Sequence, residues 1–106
     1  MKLAIVISSD DPETAFNAFR FGNFARNEGD GVKVFLIGHG VDFDKASDDR
    51  FDVRGQAESF LKAEGEILAC GTCLKLRNSG GSEICPLSTM KDLYEMVKEA
   101  DRVVSF

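Results

Sequence analysis

"KLAIVIS", at residues 2–8, is a continuous apolar run of strand length. A strand that is covered on both faces has this pattern, because neither of its faces meets water. "SSDDP" follows, in which Asp10 or Asp11 can cap a helix that has Pro12 in its first turn. The helical pattern extends to about residue 27, and "VKVFLIG" at residues 32–38 is a second buried strand. This strand–helix–strand unit predicts two parallel strands joined by a right-handed crossover.

The rest of the chain continues this alternation. After residue 38 we predict an aperiodic loop with one short helical turn at most (39–52), a helix (53–65), a strand (66–70), a short helix (71–78), a short strand or extended segment (82–88), a long helix (89–100) and a last strand (101–106).

These elements predict a single α/β domain over residues 1–106, with a three-layer, mostly parallel five-stranded sheet of flavodoxin-like or Rossmann-like type. In such sheets ligands gather beyond the carboxyl ends of the strands. The segments 8–10, 38–40 and 70–73 each follow a strand. We therefore expect them to share one edge.

Composition excludes several classes of protein. The net charge of −5 argues against nucleic-acid binding, which uses a basic surface. No apolar run is long enough to span a membrane, and the apolar segment from Leu3 to Ile7 is too short for a signal peptide. We therefore expect a cytoplasmic protein with reduced thiols. Its three cysteines then have a chemical or packing role, since a disulfide framework needs an oxidising compartment.

Two of those cysteines lie in "EILACGTCLKLRN", residues 66–78. Cys70 ends a strand and Cys73 lies in the first turn of a helix, whose free amides favour a thiolate. Lys75 and Arg77 add positive charge nearby. The pattern favours a reactive thiol at Cys70 with Cys73 as its auxiliary or resolving partner, although both could simply pack at a tight turn. For Cys85 packing is the favoured role.

Metal and nucleotide sites find little support in the sequence. Zinc needs about four ligands, and the spacing of His39 and Cys85 from the other cysteines matches no standard finger, so we expect no metal site. His39 is either solvated or positioned to tune or deprotonate Cys70. No glycine-rich nucleotide motif is present. Five aspartates lack the spacing of a calcium loop and are expected to be solvated: Asp42, Asp44, Asp48, Asp49 and Asp52.

The position of the cysteine pair argues against thioredoxin, where the pair follows the first strand of the first βαβ unit. The chain instead resembles the DsrE-like family of sulfur-relay proteins, which includes the TusD and YchN groups. The resemblance rests on the strand-end cysteine in "LACGTCLKLR", on Arg77 seven residues later, and on the ending "ADRVVSF". The C-x-T-C form is similar to the YchN-like branch. Asn78 and "SSDDPE" replace glycine-containing segments of the family, so the substrate or partner can differ.

The resemblance implies that Cys70 carries sulfur as a persulfide, exchanged between donor and acceptor proteins without a cofactor. Gly71, Thr72, Arg77 and His39 are the residues we expect around that sulfur. Whether such a carrier is a sulfurtransferase-like enzyme stays open. Two other functions stay open as well: a dithiol redox or sensing protein that uses Cys70 and Cys73, and a non-catalytic oligomeric assembly module.

The resemblance also implies a homotrimer or homohexamer, and the first helix gives an independent reason to expect assembly. Phe16 and Phe24 fall opposite the stripe that should face the sheet, near Asn17 and Arg20, where a surface helix is normally polar. We therefore expect this helix to contribute to the contact. The sheet-facing stripe is predicted to consist of Ala15, Ala18, Phe19, Gly22 and Ala25.

Overall fold

A computed structural model describes residues 1–76 and 87–106 of the chain. The strands are β1 (Lys2–Ile7), β2 (Gly31–Leu36), β3 (Glu66–Cys70), β4 (Leu87–Ser88) and β5 (Arg102–Ser105). The helices are α1 (Pro12–Asn27), α2 (Phe43–Ala46), α3 (Val53–Lys62), α4 (Gly71–Leu76) and α5 (Met90–Glu99), and a 3₁₀ turn covers Gly38–Asp42.

The five described strands form one sheet in the order β4-β3-β2-β1-β5, and every neighbouring pair is parallel. This confirms the predicted α/β fold class with its mostly parallel sheet. β1 lies between β2 and β5, and its buried residues include neighbours that point to opposite faces, such as Ala4 and Ile5. The uninterrupted apolar run in β1 is therefore explained by layers on both sides of the sheet.

Helix α1 begins where its capping sequence predicts. The side chain of Asp11 accepts a hydrogen bond from the Thr14 amide at 3.0 Å, and Pro12 occupies the first turn. That bond holds the pKa of Asp11 below its ordinary value, because it stabilises the charged carboxylate. The predicted stripe on the sheet-facing side is confirmed, since its five members are all buried: Ala15, Ala18, Phe19, Gly22 and Ala25.

The two faces of the sheet are covered by different helices. A side chain at Gly22 of α1 would touch Ile5, and α1 also packs along α3, so both helices lie on the Ile5 face. Lys33, which pairs with Ala4 on the opposite face, lies 4.0 Å from Glu99 of α5. Among the described elements, that second face is covered by α5, a helix of ten residues. No helix in the described ranges combines the length and apolar character needed to cross a bilayer.

Residues 39–52 are more ordered than their composition suggested. They hold most of the 3₁₀ turn and all of α2, where at most one helical turn was predicted. The reason is tertiary packing: Val41 and Phe43 are buried, and the Phe43 ring lies 5.7 Å from that of Phe19. Helix α3 also ends before residue 65, because Glu64 adopts a left-handed φ of 67° that breaks the helix.

The sequence predicts that Phe16 and Phe24 both lie on the exposed side of α1, and this was wrong for Phe16. Phe16 is half-buried, because its ring packs against Phe51 at 5.5 Å between centroids, and Arg20 lies over it at 5.6 Å. Phe24 is 65% exposed, as predicted. The acidic segment, residues 39–52, folds back onto α1 through Phe51. Helical periodicity alone does not predict this contact.

Candidate functional site at the carboxyl edge of the sheet

Cys70 is the last residue of β3 and is only 3% exposed. The parallel pairing of β3 with β4 places it beside Ser88, whose side chain is also buried. Gly71 then begins α4, and a side chain there would lie 3.2 Å from the carbonyl oxygen of Ser88. The strand end and the start of α4 are therefore closely packed against β4, and Cys70 lies beneath this junction.

Cys73 is half-buried on α4, and its Sγ accepts a hydrogen bond from the Gly38 amide at 3.3 Å. This bond joins α4 to the 3₁₀ turn that follows β2. It fulfils the expectation that the segments after β2 and β3 meet at one edge of the sheet. Thr72 and Lys75, by contrast, are exposed on α4.

His39 is exposed in the 3₁₀ turn, next to two carboxylates. One side-chain ligand atom from each of Asp10, His39 and Asp42 lies within 4.8 Å of the other two. Asp10 follows β1, whereas His39 and Asp42 follow β2. The structure thus brings the segment after β1 to the same edge, as the order of elements predicts.

The acidic segment 39–52 is largely solvated, as predicted, and only Asp42 of its five aspartates is half-buried. The exposed ones are Asp44, Asp48, Asp49 and Asp52. Asp42 lies 3.7 Å from the Lys45 ammonium. Asp48 accepts hydrogen bonds from the amides of Arg50 and Phe51 within a turn, and Asp52 accepts one from Gly55 at the start of α3. Short-range bonds to the backbone are the usual role of aspartate in turns and caps.

Three residues near the candidate site were not predicted as site residues. Asp10 was considered as a helix cap and as part of the segment 8–10 at the shared edge, Asp42 was expected to be solvated, and Ser88 was only the end of a predicted strand. A signal for Asp10 existed, because the ends of adjacent parallel strands bring Asp10 and His39 together. Ser88 ends the predicted segment 82–88, but its position beside Cys70 depends on the pairing of β4 with β3, which no local pattern gives. Arg77, Asn78 and Cys85 lie outside the described residues, so their predicted roles stay predictions.

Comparison with known proteins places this geometry in context. The sequence pattern of the DsrE/DsrF-like family matches residues 1–106. The chain is 36% identical over 110 residues to an uncharacterized protein of Methanopyrus kandleri, covering 95% of this chain and 91% of that protein. It is 32% identical over 114 residues to an uncharacterized protein of Methanocaldococcus jannaschii, covering all of both chains.

Two solved structures have the same fold. The crystal structure of the ychN protein from E. coli superposes with a TM-score of 0.83 at 18% identity, covering 100% of both chains. A conserved protein of unknown function from Bacteroides thetaiotaomicron superposes with a TM-score of 0.79 at 22% identity, covering 99% of this chain and 94% of that one. At these identities the likeness concerns the fold alone.

Proposed function

Because the chain belongs to the DsrE/DsrF-like family, we propose that it is a cytoplasmic sulfur-relay protein that carries sulfane sulfur as a persulfide on Cys70. The observation that carries the proposal is the placement of two thiols at the carboxyl edge of a parallel sheet. Cys70 ends β3, and Cys73 follows on α4 with its sulfur hydrogen-bonded to the Gly38 amide. Ligands of open α/β sheets gather at this edge.

Loading of Cys70 is a thiol exchange. The Cys70 thiolate attacks the outer sulfur of a donor persulfide, R–S–SH, so that a new S–S bond forms as the old one breaks. The electron pair leaves with R–S⁻, which takes up the proton that Cys70 lost. The product, Cys70–S–SH, retains the oxidation state of the transferred sulfur, and no cofactor is required.

Cys73 offers two ways to unload that persulfide. Attack of its thiolate on the outer sulfur moves the sulfur to Cys73, whereas attack on the inner sulfur releases hydrosulfide and closes a Cys70–Cys73 disulfide. The Gly38 amide donates to the Cys73 sulfur and would stabilise the Cys73 thiolate that makes either attack. Since Cys70 is buried and Cys73 half-buried, we expect Cys73 to be the exit for the sulfur.

Intact-mass measurement tests the proposal. The reduced protein is treated with a low-molecular-weight persulfide donor, and we expect the wild type to gain one sulfur atom, about 32 Da. Cys70→Ser should abolish the gain, and Cys85→Ser should retain it as the matched control. Cys73→Ser should make the adduct longer-lived, because its unloading step is removed.

The other two functions give different masses. A dithiol redox protein would lose two hydrogen atoms as Cys70 and Cys73 form a disulfide, with no sulfur-adduct stage even in Cys73→Ser. An assembly module whose cysteines only pack would stay unmodified. If neither the wild type nor Cys73→Ser shows the sulfur adduct, the persulfide proposal is contradicted.

We further propose that the protein assembles as a homotrimer or homohexamer through apolar surfaces on both sides of the sheet. On α5, Met90, Tyr94 and Val97 are exposed and spaced so that they share one helix face. On α1, Phe24 is exposed on the opposite side of the sheet. Two separate apolar surfaces suit a hexamer, in which one contact closes a ring and a second joins two rings.

Light scattering after gel filtration tests this assembly. We expect the wild type to have about three or six times the chain mass of 11.6 kDa. Tyr94→Asp with Val97→Asp, and separately Phe24→Asp, should lower that mass, because a buried carboxylate without a partner is costly. Lys62→Asp, at an exposed polar position of α3, is the control and should leave the mass unchanged. A wild-type mass near 11.6 kDa at micromolar concentration would contradict the assembly.

A further inference from the structure

A second cluster of chemically active side chains lies at the carboxyl edge, and the exchange steps written above for Cys70 and Cys73 do not involve it. It consists of Asp10, His39 and Asp42, which come from the segments after two adjacent strands. We propose that these three residues bind one divalent transition-metal ion. The proposal does not depend on the persulfide chemistry, because it uses neither Cys70 nor Cys73.

The spacing of the three donors suits a single ion. Ligand atoms at about 2.1 Å from a tetrahedral metal lie about 3.4 Å from one another. The donor atoms here lie within 4.8 Å of one another, so small side-chain rotations close the remaining gap. The donor set combines two carboxylates with one imidazole, which distinguishes the cluster from a group of surface acids.

The backbone brings the two segments together without help from the metal. The Ile37 amide donates to the Ile7 carbonyl at 3.0 Å, which ties the start of the 3₁₀ turn to the end of β1. Gly40 packs directly against that carbonyl, where a side chain would collide with it. Asp10 and His39 are therefore held near each other by contacts made by their neighbours.

The donor chemistry selects the class of metal. Calcium and magnesium prefer oxygen ligands alone, whereas imidazole suits zinc and its first-row neighbours. A neutral His39 and two carboxylates would supply a charge of −2, which matches a divalent ion. Lys45 lies near Asp42 but is 71% exposed, so its flexible ammonium can turn into water when a metal takes its place.

Three protein ligands would leave at least one coordination position open. Structural zinc sites are usually closed by four protein ligands, whereas three ligands plus a water are typical of sites that bind or activate a small molecule. His39 directly follows Gly38, whose amide donates to the Cys73 sulfur. A ligand on the open position would therefore lie on the same edge of the sheet as the thiols.

Titration with Co²⁺ alone tests the proposal. We expect one Co²⁺ per chain, with a visible ligand-field band and without the near-ultraviolet band of thiolate-bound cobalt. Asp10→Asn, His39→Gln and Asp42→Asn should each weaken binding by more than about tenfold, because each removes a ligand. Asp44→Asn and Asp49→Asn remove exposed carboxylates from the same region and should not change the affinity.

Circular dichroism of each variant checks that the fold is retained. Asp10→Asn should leave the α1 cap intact, because Asp11 provides it. Full-strength Co²⁺ binding in any one of the three ligand variants overturns the three-residue site. A thiolate band that disappears in Cys73→Ser or Cys70→Ser also overturns it, because the metal would then be bound by sulfur. Absence of Co²⁺ binding at millimolar concentration also overturns the proposed site.

Discussion

Replacement of Gly40 by alanine is expected to cost about 3 kcal/mol or more of the free energy of unfolding, a large effect for one methyl group. A side chain at this position would lie 2.7 Å from the carbonyl carbon of Ile7 and closer still to its oxygen. Both atoms belong to the backbone, so no side-chain rotation relieves the collision. The 3₁₀ turn would have to move away from β1, which strains the bond between the Ile37 amide and the Ile7 carbonyl.

Gly31→Ala is the matched control for this substitution. Gly31 begins β2, and a side chain there would have no atom within 4 Å. Its replacement should be near neutral or slightly stabilising, because alanine lowers the entropy of the unfolded chain. Urea unfolding of both variants measures the difference, and equal midpoints for Gly40→Ala and Gly31→Ala would contradict the close approach at Gly40.

Phe60→Ala should destabilise the protein by about 3–5 kcal/mol, which is the usual cost of removing a buried phenylalanine ring. Phe60 is fully buried on α3, and its ring lies 6.3 Å from that of Phe19 on α1. Gly22 and Gly65 both face the same ring, since a side chain at either would press against it. The absence of side chains at these glycines leaves room for the ring. Truncation of Phe60 to alanine would therefore leave a cavity between α1 and α3.

A domain of this size has a total stability of about 5–15 kcal/mol, so Phe60→Ala removes a large part of it. Leu76→Ala, at an exposed position of α4, also removes apolar atoms and should change stability by less than about 0.5 kcal/mol. Thermal unfolding of the two variants measures this contrast. A Phe60→Ala melting temperature within a few degrees of wild type would mean that the α1–α3 contact contributes little.

The regular elements could be predicted because their signals are local. The bounds of α1 and β3 match the predicted ranges, since capping residues fix the start of α1 and Gly65 and Gly71 bracket β3. The helical turns between Gly38 and Ala46 could not be found in this way, because the burial of Val41 and Phe43 stabilises them from a distance. The strand order likewise depends on contacts between residues far apart in the sequence.

The candidate site was predictable in position but not in detail. Because parallel strands end at one edge of a sheet, the sequence alone predicts that Asp10, His39 and Cys73 lie in one region. The neighbours of the imidazole depend on the direction of side chains in the 3₁₀ turn, and no local pattern specifies that direction. The two carboxylates beside His39 therefore emerged from the structure alone.

The central position of β1 has a consequence for the protein during its synthesis. The Lys2 amide donates to the side chain of Asp101, a contact that spans 99 residues, and β5 pairs with β1 just beyond it. Pairing of strands so distant in the sequence is slow, because the intervening chain loses conformational entropy before the stabilising contacts form. Until Arg102–Ser105 leaves the ribosome, β1 has an unpaired edge that can bind another nascent chain. A premature stop codon before residue 102 would make that exposure permanent, and aggregation of the truncated chain would follow.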